Sequence, residues 1–190
     1  SPSGSAGPSS GASPSTSATT DAPASPSITL GAPAPSPSGS AAAGTPQGPS
    51  LVVVPPGGTA ELGLANAFHS DGWRDGYYQP AAASTKQAAL AASVNCGQAG
   101  VELEYRFAPT SGTLAVSVAQ DVLSDSSDNT VGFTILTDGR SVAEKAISFK
   151  QTAELTAPLD RVTVVKIVAA TKGACRTSST ALITSATVRG

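Results

Sequence analysis

From Val101 onward, hydrophobic and polar residues alternate in short runs. Val101, Leu103, Tyr105 and Phe107 alternate with Glu102, Glu104 and Arg106, and Leu114, Val116 and Val118 with Ala115, Ser117 and Ala119. Val131, Phe133 and Ile135 then alternate with Gly132, Thr134 and Leu136. A period of two is the pattern of strands that put one face into a core. Between Thr137 and Arg140 lies Asp138-Gly139, the two-residue signal for a tight hairpin with both central residues at positive φ. Residues 113–142 therefore predict an antiparallel meander of three strands, the firmest feature of the chain.

The same reading extends in both directions. Pro109 and Ser111-Gly112 are expected to end the strand that starts at Val101. Ile147 and Phe149 share one face of a strand ending near Lys150, and residues 152–156 form a short strand before Pro158. Residues 162–170 are almost continuously apolar, broken only by Lys166, as in a strand buried on both sides. A loop over 172–176 leads to a last strand at 180–188. Upstream, the β-prone run 51–54 is stopped by Pro55-Pro56-Gly57-Gly58, and 59–65 reads as a strand with Leu62 and Leu64 inward. Residues 68–76, with two glycines, read as a loop leading into a strand near Tyr77 and Tyr78. The Ala-rich segment 81–93 has intrinsic helix preference, but beside so many strands 87–94 is read as a strand of small residues. The sum is about eight to ten short strands and no amphipathic helix, the pattern of a β-sandwich.

Composition divides the chain. Residues 1–50 hold fourteen Ser, ten Pro, ten Ala, seven Gly and five Thr, with one charge, Asp21, and no aromatic residue. Such a segment cannot offset the entropy of ordering itself and is expected to be a disordered linker. It would span roughly 40 Å if flexible and up to about 150 Å if its prolines extend it, and its Ser and Thr beside Pro suit O-glycosylation. Residues 51–190 carry every aromatic and are expected to fold as one domain. The net charge of −2 is spread singly, without the basic stripe that nucleic acid requires. No run approaches the roughly twenty apolar residues of a membrane span, so any anchor is expected upstream of Ser1.

Cys96 and Cys175 are the two cysteines, beside one histidine. Too few ligands remain for a zinc site without carboxylates. A disulfide is the expected state, closing a loop worth roughly 4.5 kcal/mol in the chain-entropy model and implying an oxidising, extracellular compartment. Two buried free thiols are the alternative.

Candidate chemistry gathers in one stretch. A sugar site wants an exposed aromatic face with neighbouring polar side chains for the hydroxyls, and Trp73, Tyr77 and Tyr78 with Asp71, Arg74, Asp75 and Gln79 supply those types. The alternative is that Trp73 plugs the sandwich end and one tyrosine faces the core. Asp121, Asp125, Asp128 and Asn129 fall in one loop with oxygen ligands that suit Ca²⁺. They lack the order of a dedicated calcium loop, so a solvated turn is the reading and no metal is assigned. His69, Ser70 and Asp71 are adjacent and do not converge as a triad must, no G-x-S-x-G elbow is present, and Glu102 and Glu104 read as a solvated strand face. No enzyme and no cofactor are expected.

Gly72-Trp73, then Leu103-Glu104-Tyr105, then Leu114-Ala115-Val116-Ser117-Val118 running into an Asp/Ser-rich loop, then Val131-Gly132-Phe133-Thr134-Ile135-Leu136-Thr137-Asp138-Gly139 follow one another in an order that resembles the NPCBM family of carbohydrate-binding modules. The resemblance covers about residues 60–189, with the Asp-Gly strand its most specific part. It implies a jelly-roll of the galactose-binding type, of the kind appended to secreted glycosidases and bacterial surface proteins. The chain departs from the family pattern at Ala92-Ser93-Val94-Asn95-Cys96-Gly97 and at Ala181-Leu182-Ile183-Thr184. The Ser/Pro linker is similar to those carrying ectodomains of actinobacterial membrane proteins, receptor kinases among them. The expected protein is an all-β, jelly-roll-type sandwich on a linker, secreted or tethered to a cell surface. Its expected partner is carbohydrate, with cell-wall glycan the foremost candidate. The alternative is an ectodomain that acts as a sensor or binds a protein ligand without binding sugar.

Overall fold

The computed structural model describes residues 51–190; the expected linker over 1–50 lies outside the described residues. Eight strands follow one another: β1 (Thr59–Glu61), β2 (Trp73–Tyr78), β3 (Gln87–Asn95), β4 (Val101–Gln120), β5 (Thr130–Thr137), β6 (Arg140–Ile147), β7 (Ala153–Lys172) and β8 (Ser178–Arg189). Neighbours run in the order β2-β3-β8-β4-β7-β5-β6, with β1 beside the end of β8, and every pairing between these strands is antiparallel; Val52 adds an isolated parallel bridge to Phe107. The all-β antiparallel sandwich expected from the alternation is what the chain forms.

Two long strands make the sandwich. β4 and β7 have 20 residues each. The first half of β4 pairs with the second half of β7, Val101 opposite Ala169, and the second half of β4 with the first half of β7, Leu114 opposite Ala157. β5 and β6 extend the first half-sheet beyond β7, while β8, β3 and β2 extend the second beyond β4. Inward side chains of both halves meet in one core. Leu103, Tyr105, Phe133, Ile135 and Ile167 come from one half, and Leu90, Leu114, Val116, Leu155 and Ile183 from the other.

The passage between halves corrects the sequence reading, which ended strands at Pro109 and Pro158. The chain carries through both. Pro109 falls within a shift of register between Arg106 and Thr110, where no ladder donor is needed. Pro158 lies in the half of β7 that pairs with β4 alone, an edge position that tolerates a missing N–H. At the bend Gly112 adopts φ 146, and a Cβ there would stand 2.0 Å from the Arg189 carbonyl oxygen.

The three-stranded meander expected over 113–142 does not form: β5 pairs with β6 across the hairpin, but its other neighbour is β7, and the 113–120 half of β4 pairs with β8 and the first half of β7. Other expectations hold with adjusted limits. Asp138 and Gly139 have φ 47 and 82, the hairpin turn read from the sequence. The Ala-rich segment is strand β3. β1 stops at Glu61 instead of continuing to residue 65: Leu62 is buried, and Leu64–Asn66 forms a 3₁₀ turn held by Gly63 N–H donating to Asn66 Oδ1 at 2.8 Å. β6 ends at Ile147, leaving Phe149 in the following turn. Cys96 and Cys175 are joined, Cα to Cα 5.6 Å, at the end of the β3–β8 pair where Asn95 lies opposite Ser178.

Candidate functional site

The aromatic stretch 73–78, expected as a loop leading to Tyr77, is a strand from Trp73 onward. As an edge strand it sends alternate side chains to opposite faces, and this splits the seven candidates. Trp73 turns into the main core and is 5% exposed, its Nε1 without a hydrogen-bond partner among the described residues. A sugar cannot stack on it, so the alternative reading of Trp73 as a core plug is the one realised. Tyr78 turns the other way and packs on Ala91, Ala119 and Leu182, a small second cluster on the outer face, and Arg74 shares that face. Asp71 sits in the turn before β2, 4.0 Å from His69. Gln79 donates through Nε2 to the Ala83 carbonyl at 3.0 Å. Tyr77 and Asp75 remain, on the same face as Trp73 but beyond the covered core. Tyr77 is 76% exposed.

What they face is a break in the sheet. β3 pairs with β8 up to Ile183, and β1 resumes alongside β8 only at Thr187. Between them β8 shifts register against β4, Ser117 opposite Ser185 but Val118 opposite Ile183, leaving Thr184 as the extra residue of a bulge. On the open side one backbone bond spans the gap, Leu62 N–H to the Ala186 carbonyl at 2.8 Å. The result is a notch of about 440 Å³. Its floor is apolar, with Leu62, Leu90, Ile183 and Ala186 buried. Tyr77 and Asp75 of β2 stand on one rim, opposite Ala88 and Leu90 of β3. Glu61 stands on the other, and Thr184, Ser185 and Thr187 add hydroxyls. Ala88, with one methyl, leaves room beside the Tyr77 ring.

Two smaller depressions adjoin it. One of about 250 Å³ runs from Tyr77 past Lys86 and Gln79 to Val122 and Leu123, and one of about 330 Å³ lies over the outer face beside Arg74, Ser93 and Thr180. Tyr77 borders all three. The β8 hydroxyls escaped the sequence reading because more than a hundred residues separate them from Tyr77, and Glu61 because β1 reaches the notch only by pairing with β8, Glu61 opposite Thr187. The one local signal is that Thr184-Ser185 places two polar residues in succession where β8 should alternate.

The remaining candidates are engaged structurally. Asp121 is 4% exposed and accepts from Leu123 N–H at 2.9 Å, and Asp125 accepts from the Ser178 hydroxyl. Asn129 donates to the Arg176 carbonyl at 2.7 Å and to Ser179 Oγ at 3.1 Å, and accepts from Arg176 N–H at 2.8 Å. These groups tie the 121–129 loop to the strand and loop beside the disulfide. Among the described residues no three His, Cys, Asp or Glu side chains converge as a metal site would require. Glu102 and Glu104 are not a solvated pair. Both meet Lys166, at 3.2 and 3.7 Å, and Glu104 is buried and bound to Arg106. Arg106 also lies over the Phe68 ring, 4.3 Å from its centroid.

No protein-family model matches the chain, and no curated protein matches it either. The NPCBM resemblance is therefore not reproduced at the level of a family model. Among solved structures the chain is similar to carbohydrate-binding β-sandwich modules. It is 8% identical to the tandem CBM51 modules of a family 98 glycoside hydrolase from Streptococcus pneumoniae, with a TM-score of 0.47 over 60% of this chain and 36% of that one. It is 12% identical to a CBM51 from Clostridium perfringens solved with methyl-galactose, with a TM-score of 0.45 over 72% of this chain and 90% of that one. It is 13% identical to a β-1,3-glucan-binding CBM6 from Bacillus halodurans, with a TM-score of 0.39 over 70% and 96%. The chain spans about a third or less of the length of the first of these similar structures. Likeness this distant leaves the ligand to be read from the chain's own residues.

Proposed function

We propose that residues 51–190 form an extracellular, non-catalytic module, of the NPCBM type that the strand motifs resemble, which binds carbohydrate in the notch beside Tyr77. The observation that carries this reading is an exposed aromatic ring standing over an apolar floor, with two carboxylates and three hydroxyls on the surrounding rims. A pyranose offers the complement, an apolar C–H face for the ring and equatorial hydroxyls for carboxylates and Thr or Ser. The notch is open, as suits a chain or branch entering from solvent. The Cys96–Cys175 bridge supports an oxidising compartment, and a cell-wall glycan carried near the linker is the foremost substrate class.

The experiment is a glycan array with a peptidoglycan pull-down, run on the protein and on Tyr77→Ala. Retention by the protein and its loss in the variant is the expected outcome; retention unchanged in the variant removes the notch as the site.

A second reading has its own observation. Tyr77, Val122 and Leu123 are exposed together, Leu123 at 78%, an apolar rim that a protein partner could cover. Under this reading the module is a sensor or interaction ectodomain. No glycan would be retained, and Leu123→Asp would release a protein partner while leaving the notch intact.

A further inference from the structure

The notch is acidic on both rims. Glu61 ends β1 on one side and Asp75 stands on β2 on the other. Both are exposed, and neither carboxylate is ion-paired or hydrogen-bonded among the described residues. No Lys, Arg or His lines the notch. Arg74 borders the outer face of β2, and Lys86 belongs to the groove beyond Tyr77. On the first half-sheet, by contrast, Glu102 and Glu104 meet Lys166, Glu144 meets Lys172 at 2.8 Å, and Asp138 accepts hydrogen bonds from β7.

Two unpaired like charges across one depression repel each other, and an apolar floor strengthens that repulsion by lowering the local dielectric. A cation between them relieves it. Tyr77 adds a second attraction, since an ammonium near an aromatic face is drawn to the negative centre of the ring. An anionic sugar meets a carboxylate of its own sign on each rim.

We infer that the notch selects a glycan carrying a free amine, a de-N-acetylated hexosamine, over its N-acetylated form and over uronic acids. This rests on the reading of the notch as a sugar site. The ring stacks on Tyr77, the ammonium lies between Asp75 and Glu61, and Thr184, Ser185 and Thr187 take the remaining hydroxyls.

Calorimetric titration of the full chain with a glucosamine oligomer, the matching N-acetylglucosamine oligomer and an oligogalacturonate tests it. The glucosamine oligomer is expected to bind about tenfold more tightly than the acetylated one, the scale of two partly exposed ion pairs, with no binding of the uronate. Rising salt should shrink the difference. The double variant Glu61→Gln and Asp75→Asn, whose side chains are exposed and whose neutralisation should not lower the melting temperature, is expected to bring the two oligomers within about twofold. Equal or tighter binding of the acetylated oligomer, or an amine preference that survives the double variant, overturns the inference. In that event the sugar reading still stands if Tyr77→Ala abolishes binding. Absence of all oligosaccharide binding, or binding untouched by Tyr77→Ala, overturns both.

Discussion

Single side chains here divide into those that hold the fold and those free to act, and burial draws the line. Tyr105 is fully buried, its hydroxyl has no partner among the described residues, and burial pushes its phenol far above the usual range. A buried, unsatisfied hydroxyl costs more than it returns. Tyr105→Phe is therefore expected to stabilise the protein by about 1 kcal/mol, read by urea denaturation. Because the raised phenol favours the neutral form, its contribution is intact below about pH 10 and falls as pH rises beyond that, a decline that the phenylalanine variant should lack. Asp138 behaves in the opposite sense. Desolvation raises its carboxyl, but hydrogen bonds from Val164 N–H, Thr163 N–H and the Thr163 hydroxyl outweigh it and hold the group below its ordinary value. That contribution is present above about pH 4 and is lost as pH falls through the depressed value. Acid titration of stability in Asp138→Ala should show a shallower slope in that window than in the parent protein. Trp73 and Tyr77 make the sharpest contrast. Trp73→Ala is expected to cost about 3–5 kcal/mol as a core cavity, whereas Tyr77→Ala should leave stability within about 0.5 kcal/mol.

At the level of the strand, alternation and turn chemistry were legible and continuity was not. The Asp138-Gly139 hairpin and the strand β5 before it stand where the period of two put them, because β5 buries its inward face and the turn demands positive φ at both residues, whereas β5's other neighbour is β7 and not the preceding strand. Pro109, Gly112 and Pro158 were read as stops because a proline or glycine usually ends a ladder. In this chain they permit a bend, and whether a proline breaks a strand depends on which neighbour needs its N–H, a tertiary fact absent from local sequence. The bend makes a strong claim about Gly112. Replacing it with Ala forces a Cβ against the Arg189 carbonyl at a φ of 146, and a loss of about 2 kcal/mol or more is expected in chemical denaturation. The candidate site was half legible for the same reason. Tyr77 and Asp75 could be picked out as residue types suited to sugar, yet the core covers Trp73 on their own face, alternation turns Tyr78 to the other, Glu61 arrives only through the pairing of β1 with β8, and Thr184 and Ser185 through the β8 bulge.

At the scale of the whole molecule, two crossing strands make one core, a disulfide locks the end of the β3–β8 pair, and a gap between β1 and β3 leaves the second half-sheet open beside Tyr77. Reduction of Cys96–Cys175 is expected to lower stability by about 4 kcal/mol, measured by denaturation with and without reductant. Ligand affinity at the notch should persist in the reduced protein wherever it remains folded, since the bridge lies at the other end of β3 from Ala88. Binding in this account belongs to the notch, not to the buried tryptophan or to the acidic loop. The measurement that bears on it most directly is affinity for soluble cell-wall oligosaccharides, compared among the parent protein, Tyr77→Ala and Trp73→Phe, each first shown to be folded. Loss of at least about tenfold in affinity in Tyr77→Ala, with Trp73→Phe close to the parent, is the expected result. Undiminished affinity in Tyr77→Ala would contradict the account.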